Sequence, residues 1–288
     1  MPSDLITFGP VHLRVRNLER SILFWVDLIG LQVRKNDDLL ELGTDLTTLV
    51  VLQEVATQPV QRGFAGLYHL AIHLPTEADL TKVLARITTQ KYRSSAIDHT
   101  LSKAVYLYDP DGIMVEITLE TPERFHSYEE FAGAVFLRDV NGERKAISES
   151  LDVEALLSQF PNTEPEGTLP SATSIGHVHL HVRHLDEAVF FYQAIGFEPH
   201  FSSRQIGFAD MSAGGPFPHR MALNTWQGRD ATQAPGQHAG MDYFTIRLHS
   251  REQLLLVLGD FPDAIEATGG YFITDPSGNK ILLLIVGS

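Results

Sequence analysis

Cysteine is absent from the 288-residue chain, which excludes disulfides, thiolate metal sites, iron–sulfur clusters and cysteine nucleophiles. No run approaches the roughly 20 consecutive apolar residues that a membrane-spanning helix requires. The first four residues, MPSD, lack a basic start followed by an apolar stretch, so we expect no secretory signal. Basic residues are scarce, since 22 Lys and Arg stand against 36 Asp and Glu, a net charge of −14. Nucleic acid and anionic membranes are therefore not expected partners, because phosphates require a basic surface.

What the chain does contain is typical of a folded protein. Hydrophobic residues make up 43% and charged residues 20%, and the length suffices for two ordinary domains. The lack of cysteine fits a cytoplasmic location, which we expect. With 13 histidines present, a tightly bound metal ion would have to be held by His and carboxylate ligands.

Internal repeats organise the chain into two similar halves. Three pairs of segments match, namely 9–15 with 176–182, 66–72 with 240–246, and 109–112 with 275–278. The last pair reads DPDG and DPSG, which predicts a tight turn before a final strand in each half.

Each half divides again, so that a pattern of one strand, one helix and about three strands occurs four times. The four modules, numbered 1 to 4 in chain order, are expected at residues 7–56, 66–120, 174–228 and 240–286. Helices are predicted over 21–28 and 188–194, each followed by a glycine that can cap it. These are Gly30 and Gly196.

The stretch between the two halves does not repeat. We expect short strands around a turn at 138–143, a short helix over 153–160, and a linker rich in Pro, Glu and Thr over 161–170. The predicted division is therefore 1–120 with two modules, 121–173 as the intervening segment, and 174–288 with two further modules.

Four βαβββ modules resemble the vicinal oxygen chelate superfamily, which includes glyoxalase I, fosfomycin-resistance enzymes, bleomycin-binding proteins and type I extradiol dioxygenases. The resemblance covers nearly the whole chain except the intervening segment. It implies an α+β fold in which modules pair into two half-open barrels, with a metal site inside a barrel. Fold alone does not define a function, so the side chains must decide.

The most specific motif lies within residues 99–116 and is similar to the extradiol ring-cleavage signature. Every fixed position is filled, by His99, Val105, Tyr106, Asp109, Pro110, Gly112 and Glu116. The turn at 109–112 makes its flanking strands antiparallel, so Tyr106 and Glu116 can point into one cavity. A carboxylate within the apolar run IMVEI is costly unless it is paired or metal-bound. The alternative is an outward-facing Glu on an alternating strand.

The resemblance implies a metal site with two histidines and one carboxylate, which leaves coordination positions open for substrate and O₂. His69, on the first strand of module 2, stands at the family's metal position. His177 stands at the same position in module 3. His69, Glu116 and His177 are therefore the predicted ligands, although a lone strand histidine is more often structural.

Modules 1 and 4 lack these ligands, since they carry Pro10 and Tyr243 at the corresponding first-strand positions and Leu282 opposite Glu116 in the repeat. We therefore expect modules 2 and 3 to build the metal-binding barrel together, and modules 1 and 4 to build a metal-free one. This differs from the commoner extradiol arrangement, in which all three ligands come from the C-terminal half.

His177 has competitors on its own strand, because His179 and His181 share its face by the two-residue period. His179 also has a counterpart, His12, in a module without ligands. That correspondence favours a structural role for both and leaves His177 as the preferred ligand.

Three further residues are catalytic candidates implied by the resemblance. His219 corresponds to the acid/base that acts beside bound O₂, and His99 and Tyr106 to the groups that hydrogen-bond the substrate's second oxygen. The structural alternatives are a surface loop for His219, an exposed turn for His99 and a core aromatic for Tyr106. Trp226 is an equally balanced candidate for the cavity wall.

The resemblance thus implies an Fe(II)-dependent extradiol dioxygenase that opens a catechol-type aromatic diol with O₂ in aromatic hydrocarbon catabolism. Mn(II) is an alternative ion, because the same ligands suit both. Homo-oligomer formation is compatible with the sequence. One rival is another metalloenzyme of the superfamily, an isomerase or thiol transferase. Such enzymes usually require a second carboxylate or a fourth protein ligand, but the residues expected to face Glu116 from module 3, near 221–223, are apolar. A second rival is a metal-free protein that binds or sequesters a small molecule.

Overall fold

A computed structural model describes residues 4–131 and 133–286. The first three residues, which enter the expectation about a secretory signal, lie outside this described part. Module 1 comprises β1 (Ile6–Val15), α1 (Leu18–Ile22), a π-helix (Leu23–Ile29), β2 (Gln32–Asn36), β3 (Leu40–Gly43) and β4 (Thr48–Glu54). Module 2 comprises β5 (Gly66–His73), α2 (Glu77–Thr89), β6 (Ser94–Asp98), β7 (Ser102–Tyr108) and β8 (Met114–Glu120).

The segment between the halves carries a 3-10 turn (Pro122–Arg124), β9 (Phe125–Phe131), β10 (Ala134–Asp139), β11 (Arg144–Ala146), β12 (Glu149–Ser150) and α3 (Val153–Gln159). Module 3 comprises β13 (Ser174–His181), α4 (Leu185–Ile195), β14 (Glu198–Ser203), β15 (Phe208–Ser212) and β16 (Met221–Asn224). Module 4 comprises β17 (Gly240–Leu248), α5 (Arg251–Asp260), β18 (Ile265–Ala267), β19 (Gly270–Thr274) and β20 (Lys280–Ile285).

The order strand, helix, three strands therefore occurs four times, and the predicted α+β fold class is confirmed. None of the helices in the described ranges is long and apolar enough to cross a membrane.

The first helix differs from the prediction over 21–28. It begins at Leu18, because the Asn17 side chain caps it by accepting from the Arg20 amide. It then continues as a π-helix over Leu23–Ile29, which ends at Gly30 with a φ of 99°. Hydrogen bonds from i to i+5 turn two apolar pairs, residues 24–25 and 28–29, onto the core together. In module 3, α4 ends likewise at Gly196 with a φ of 115°.

The strands form two large sheets, each of which combines one module from each half of the chain. The nine-stranded sheet has the order β12-β6-β7-β8-β5-β13-β16-β15-β14, so modules 2 and 3 meet where β5 and β13 run antiparallel. The eight-stranded sheet has the order β18-β19-β20-β17-β1-β4-β3-β2, so modules 1 and 4 meet where β1 and β17 run antiparallel. Side chains on β5 and β13 thus lie next to each other although they are distant in sequence.

A continuous apolar core includes buried residues from both sheets. The segment between the halves is tied to it by Arg86 on α2, which donates to the carbonyls of Leu28, Pro165 and Gly167. Strands β9, β10 and β11 form a separate small sheet, whereas β12 pairs with β6 at the edge of the nine-stranded sheet. This segment therefore packs against module 2 as part of the folded body.

Candidate metal centre

Three of the predicted residues meet at the centre of the nine-stranded sheet. His69 on β5 and His177 on β13 come from the two central strands, and Glu116 on β8 comes from the neighbour of β5. The His69 and His177 Nε2 atoms are 3.0 Å apart. Glu116 Oε2 lies 3.0 Å from the first and 3.1 Å from the second. The three side chains are almost fully buried and offer three donor atoms to one point.

The size of this donor triangle fits a metal ion with open positions. Three ligands on one face of an octahedron, with bonds of about 2.1 Å, are roughly 3.0 Å apart, whereas a tetrahedron would separate them by roughly 3.4 Å. Two imidazoles and one carboxylate on one face are the ligand set of oxygen-activating iron sites. The observed spacing therefore allows all three side chains to bind one ion.

The protonation states also suit a metal ion. Burial alone would raise the pKa of Glu116, but the His177 and His69 imidazoles bring it well below its usual value, so the carboxylate is charged. Burial lowers the pKa of His177 to about 3, so its imidazole is neutral and keeps a lone pair. Ligands must be deprotonated to coordinate, and both of these groups are.

His179 lies outside the donor triangle. Its Nε2 accepts a hydrogen bond of 2.8 Å from the Asn224 side-chain amide. The Asn224 carbonyl oxygen is in turn 2.6 Å from His181 Nδ1. Asn224 thus occupies both competing histidines and leaves His177 as the histidine on β13 that reaches the triangle.

His99 and Tyr106 form a hydrogen-bonded pair at the edge of the triangle. Tyr106 lies directly opposite Glu116 in the antiparallel register of β7 and β8. His99 Nδ1 donates to the Ile147 carbonyl at 2.6 Å, so His99 Nε2 accepts from the Tyr106 hydroxyl at 2.9 Å. Burial lowers the pKa of His99 and raises that of Tyr106 well above its usual value, so both are neutral.

His219 approaches from the other side, with its ring centroid 4.3 Å from that of His177. Its Nδ1 is 2.7 Å from Oδ1 of Asp210, a fully buried carboxylate on β15. Burial alone would lower the pKa of His219, but the Asp210 charge and hydrogen bond raise it above its usual value. His219 Nε2 has no hydrogen-bond partner in the described ranges and the residue lines the cavity. His219 can therefore present a proton at Nε2.

Two residues of this group were not found from the sequence. Asp210 also accepts a hydrogen bond of 2.5 Å from the hydroxyl of Tyr128, which lies on β9 in the segment between the halves. The signal for Asp210 was present, because a carboxylate in the buried strand FADMS calls for the same explanation as Glu116. Tyr128 has no such signal, because its partner is 82 residues away in sequence.

A cavity of about 960 Å³ opens in front of the donor triangle. Aromatic rings of Phe201, Phe208 and Trp226 line one wall, so Trp226 does border the cavity, with its ring stacked on Phe208. The segment between the halves supplies a second wall through Tyr128, Val135, Leu137 and Ile147. The cavity is of the size that holds a small aromatic molecule.

A fourth protein ligand is not provided where module 3 could offer one. The strand position that corresponds to Glu116 is Ala222, which pairs with His179 as Glu116 pairs with Ala71. Residues 221–223 are all buried and apolar. Across the described residues, His69, Glu116 and His177 form the one group of at least three potential metal donors.

Comparisons with known proteins agree with this architecture. Residues 7–117 match the model of the glyoxalase/bleomycin resistance protein/dioxygenase superfamily. A curated protein of Bacillus subtilis (strain 168), catechol-2,3-dioxygenase, is 34% identical over 287 residues, which cover 96% of each chain.

Solved structures share the fold at low sequence identity. A protein from Bacillus subtilis subsp. subtilis strain 168 gives a TM-score of 0.60 at 13% identity, over 98% of this chain and 86% of that one. Glyoxalase I from Zea mays gives a TM-score of 0.56 at 13% identity, over 98% of this chain and 93% of that one. At such identities the likeness concerns the fold alone.

Proposed function

The chain belongs to the glyoxalase/bleomycin resistance protein/dioxygenase superfamily, and we propose that within it the chain is an extradiol dioxygenase acting on a catechol-type diol and O₂. The observation that carries the proposal is the donor triangle of His69, Glu116 and His177, which leaves one face open toward a cavity. The name of the B. subtilis relative, catechol-2,3-dioxygenase, supports the same reaction class.

We propose Fe(II) as the bound ion, held by His69, His177 and Glu116, with Mn(II) as the alternative that the same ligands suit. When bound, such an ion supplies adjacent open positions for a diol and O₂ and allows electron density to pass between them. The burial of all three ligands supports this role, because a buried carboxylate beside two imidazoles is costly unless it is paired or metal-bound.

Tyr106 and His99 are proposed to hold the second oxygen of the diol. Because the Tyr106 hydroxyl donates its proton to His99 Nε2, its oxygen remains free to accept from a protonated substrate hydroxyl. His99 is itself fixed by the Ile147 carbonyl. The pair therefore orients the diol and can receive its proton, which is the positioning that shortens the path to reaction.

His219 is proposed as the proton donor to the reacting oxygen. Asp210 holds its Nδ1–H, so the second proton of the imidazolium lies at Nε2, on the cavity side. The raised pKa keeps a larger fraction of His219 protonated near neutral pH. A positioned acid/base group of this kind contributes about 10²–10⁴ to the rate.

The rival isomerase or thiol transferase is less well supported, because such enzymes usually require a second carboxylate or a fourth protein ligand. The position that could supply one is Ala222. The second rival, a metal-free binding protein, is also less well supported, because that function does not explain why three metal-donor side chains converge. We further propose a cytoplasmic role in aromatic catabolism, which follows from the proposed reaction and the absence of cysteine.

The test is anaerobic loading with Fe(II), followed by catechol and air. The expected result is a yellow ring-opened semialdehyde with about one O₂ consumed per catechol, as the stoichiometry of ring insertion requires. A Glu116→Ala variant serves as the matched control and should give neither. Bound iron without product from catechol, methylcatechols or a biphenyl diol would contradict the proposed reaction, and thiol-dependent activity would favour the rival enzyme.

A further inference from the structure

Three cationic side chains line one end of the cavity: Arg62, Lys91 and Arg93. Strands β5, β6 and β8 begin and β7 ends at this edge of the sheet, because β5 and β8 are parallel and β7 is antiparallel to both β6 and β8. Arg62 lies in the loop before β5, and Lys91 and Arg93 lie in the turn before β6. We call these three residues the cationic rim.

The rim contrasts with the charge of the rest of the chain. Acidic residues outnumber basic ones by 36 to 22, and most cations form ion pairs or donate hydrogen bonds. The three rim residues are exposed and have neither, as far as the described residues extend. Among the residues that line the cavity, Glu116 in the donor triangle is the one carboxylate. The rim therefore places three positive charges on the lining of the cavity, where Glu116 is the one negative charge.

The turn that carries Lys91 and Arg93, two of the three rim residues, is fixed by hydrogen bonds. Lys91 adopts a left-handed backbone conformation with φ of 53°, and its amide donates to the Thr88 carbonyl. The next residue, Tyr92, donates from its amide to Ile87 and from its hydroxyl to the Tyr108 carbonyl. A non-glycine residue in this conformation persists where its surroundings hold it.

The cationic rim and two residues of the donor triangle, His69 and Glu116, line the same cavity. Ser95 pairs with Tyr106, and Tyr106 pairs with Glu116, so these residues share one level of the sheet. Arg93 precedes Ser95 by two residues, which is about 7 Å along a strand, and two strand spacings of about 4.8 Å separate Ser95 from Glu116, so the backbones of Arg93 and Glu116 are roughly 12 Å apart. A long arginine side chain can cover much of that distance. Elsewhere the cavity is lined by Leu101 and Leu137, which belong to an apolar cluster with Phe217. A ring held by its oxygens at the triangle thus has room for a substituent toward the rim.

We propose that the cationic rim binds an anionic ring substituent, so that the substrate is a catechol with a carboxylate on a short side chain. This inference rests on the proposed function. Charge-assisted contacts from Arg and Lys to a carboxylate are stronger than neutral hydrogen bonds, and an exposed site weakens as salt screens it. The rim would also draw an anion toward a chain whose net charge repels it.

The test compares two catechols with the same carbon skeleton, one with and one without a side-chain carboxylate, on the Fe(II)-loaded enzyme under anaerobic conditions. Calorimetry should give a dissociation constant for 3,4-dihydroxyphenylacetate about 10-fold lower than for neutral 4-ethylcatechol, and the difference should shrink at high salt. In the variant Arg62→Met/Lys91→Met/Arg93→Met the preference should disappear while 4-ethylcatechol binds as before. Arg251→Met, a change at another exposed cation whose side chain has no partner among residues 4–131 and 133–286, is the matched control and should keep the preference.

The same comparison with 4-hydroxyphenylacetate and 4-ethylphenol on metal-free protein separates this inference from the proposed reaction. Suppose that the metal-free protein prefers the carboxylate ligand only when the rim is intact, and that the Fe(II)-loaded enzyme does not cleave catechols in air. That result would support carboxylate binding by the rim and reject the proposed dioxygenase activity. Ring cleavage with equal affinity for charged and neutral catechols, or a preference that survives the triple substitution, would overturn the rim and leave the dioxygenase standing.

Discussion

The two large sheets are built from equivalent modules, yet they differ at the three positions that matter for a metal ion. Where the nine-stranded sheet carries His177 and His69, the eight-stranded sheet carries Pro10 and Tyr243 on β1 and β17. Where the first has Glu116, the second has Leu282, which pairs with Thr245 as Glu116 pairs with Ala71.

In the eight-stranded sheet, two stacked rings lie where β1 and β17 meet. Tyr243 stacks on His12 with ring centroids 3.9 Å apart, and burial lowers the pKa of His12 to about 4, so the ring is neutral. The same backbone therefore supports either converging metal donors or a stacked aromatic pair. The fold thus provides the scaffold, whereas three side chains decide whether it can hold an ion.

The largest expected effect comes from removing this difference with Glu116→Leu, which copies the eight-stranded sheet. The variant should lose metal affinity by about 100-fold or more and lose turnover with it, because one of three donors is gone. Metal content after dialysis and product formation are the measurements. Tyr243→Phe in the other sheet is the control and should change neither; full metal retention by Glu116→Leu would rule out the predicted ligand set.

The next effect concerns His219. Its ring lies against His177 in the nine-stranded sheet, whereas the eight-stranded sheet has the stacked pair of His12 and Tyr243. His219→Ala should lower kcat by about 10²–10⁴ while metal content stays at the parental level, since the residue is a proton donor and not a ligand. Single-turnover kinetics and metal analysis measure the two separately. Turnover equal to that of the parent would show that the assigned role is wrong.

A smaller effect is expected from Asp210→Asn, which keeps the shape but removes the charge beside His219. Loss of that charge lowers the pKa of His219. As the pH rises, the variant therefore loses the proton of His219 at a lower pH than the parent does. The alkaline limb of kcat should therefore move to lower pH, with kcat at pH 8 reduced by about 10-fold. Tyr128→Phe removes only the second hydrogen bond to Asp210 and should shift the limb less. A limb unmoved in Asp210→Asn would contradict the pairing.

The smallest effect is expected from His12→Phe, which keeps the stack on Tyr243 and removes the titratable group. His12 is neutral in the folded chain down to about pH 4 but titrates at 6.5 when unfolded. The unfolded state therefore binds the extra proton first, and the parent loses stability as pH falls from 6.5 to 4. The variant should lose about 2 kcal/mol less over that interval. Urea unfolding at pH 7 and 4.5 measures this, and equal losses in parent and variant would contradict it.

The sequence predicted the features that duplication repeats or that lie close together along the chain. The four modules followed from matched segments, and the turn at 109–112 placed Tyr106 opposite Glu116 by local geometry. The pairing of His69 with His177 was a hypothesis from the ligand types present, and the register of β5 and β13 is a long-range fact that no local pattern carries.

What could not be predicted depends on contacts between distant segments. Tyr128 reaches Asp210 across 82 residues, and the segment that carries it supplies a cavity wall. The π-helix over Leu23–Ile29 was also missed, because its apolar spacing resembles that of an α-helix. Packing, rather than local propensity, selects each of these features.

The pairing of modules across the two halves has a consequence for folding. His69 and His177 are 108 residues apart and Glu116 and His177 are 61 apart, so the donor triangle is a long-range feature that closes slowly. Neither half contains all three donors, so the proposed ion could bind to them only after module 3 has docked on module 2. An ion that binds only the finished arrangement then acts as a cross-link between the halves, and it stabilises the native state by mass action. The proposed metal ion would therefore bind late in folding and would stabilise the docked arrangement of the two halves.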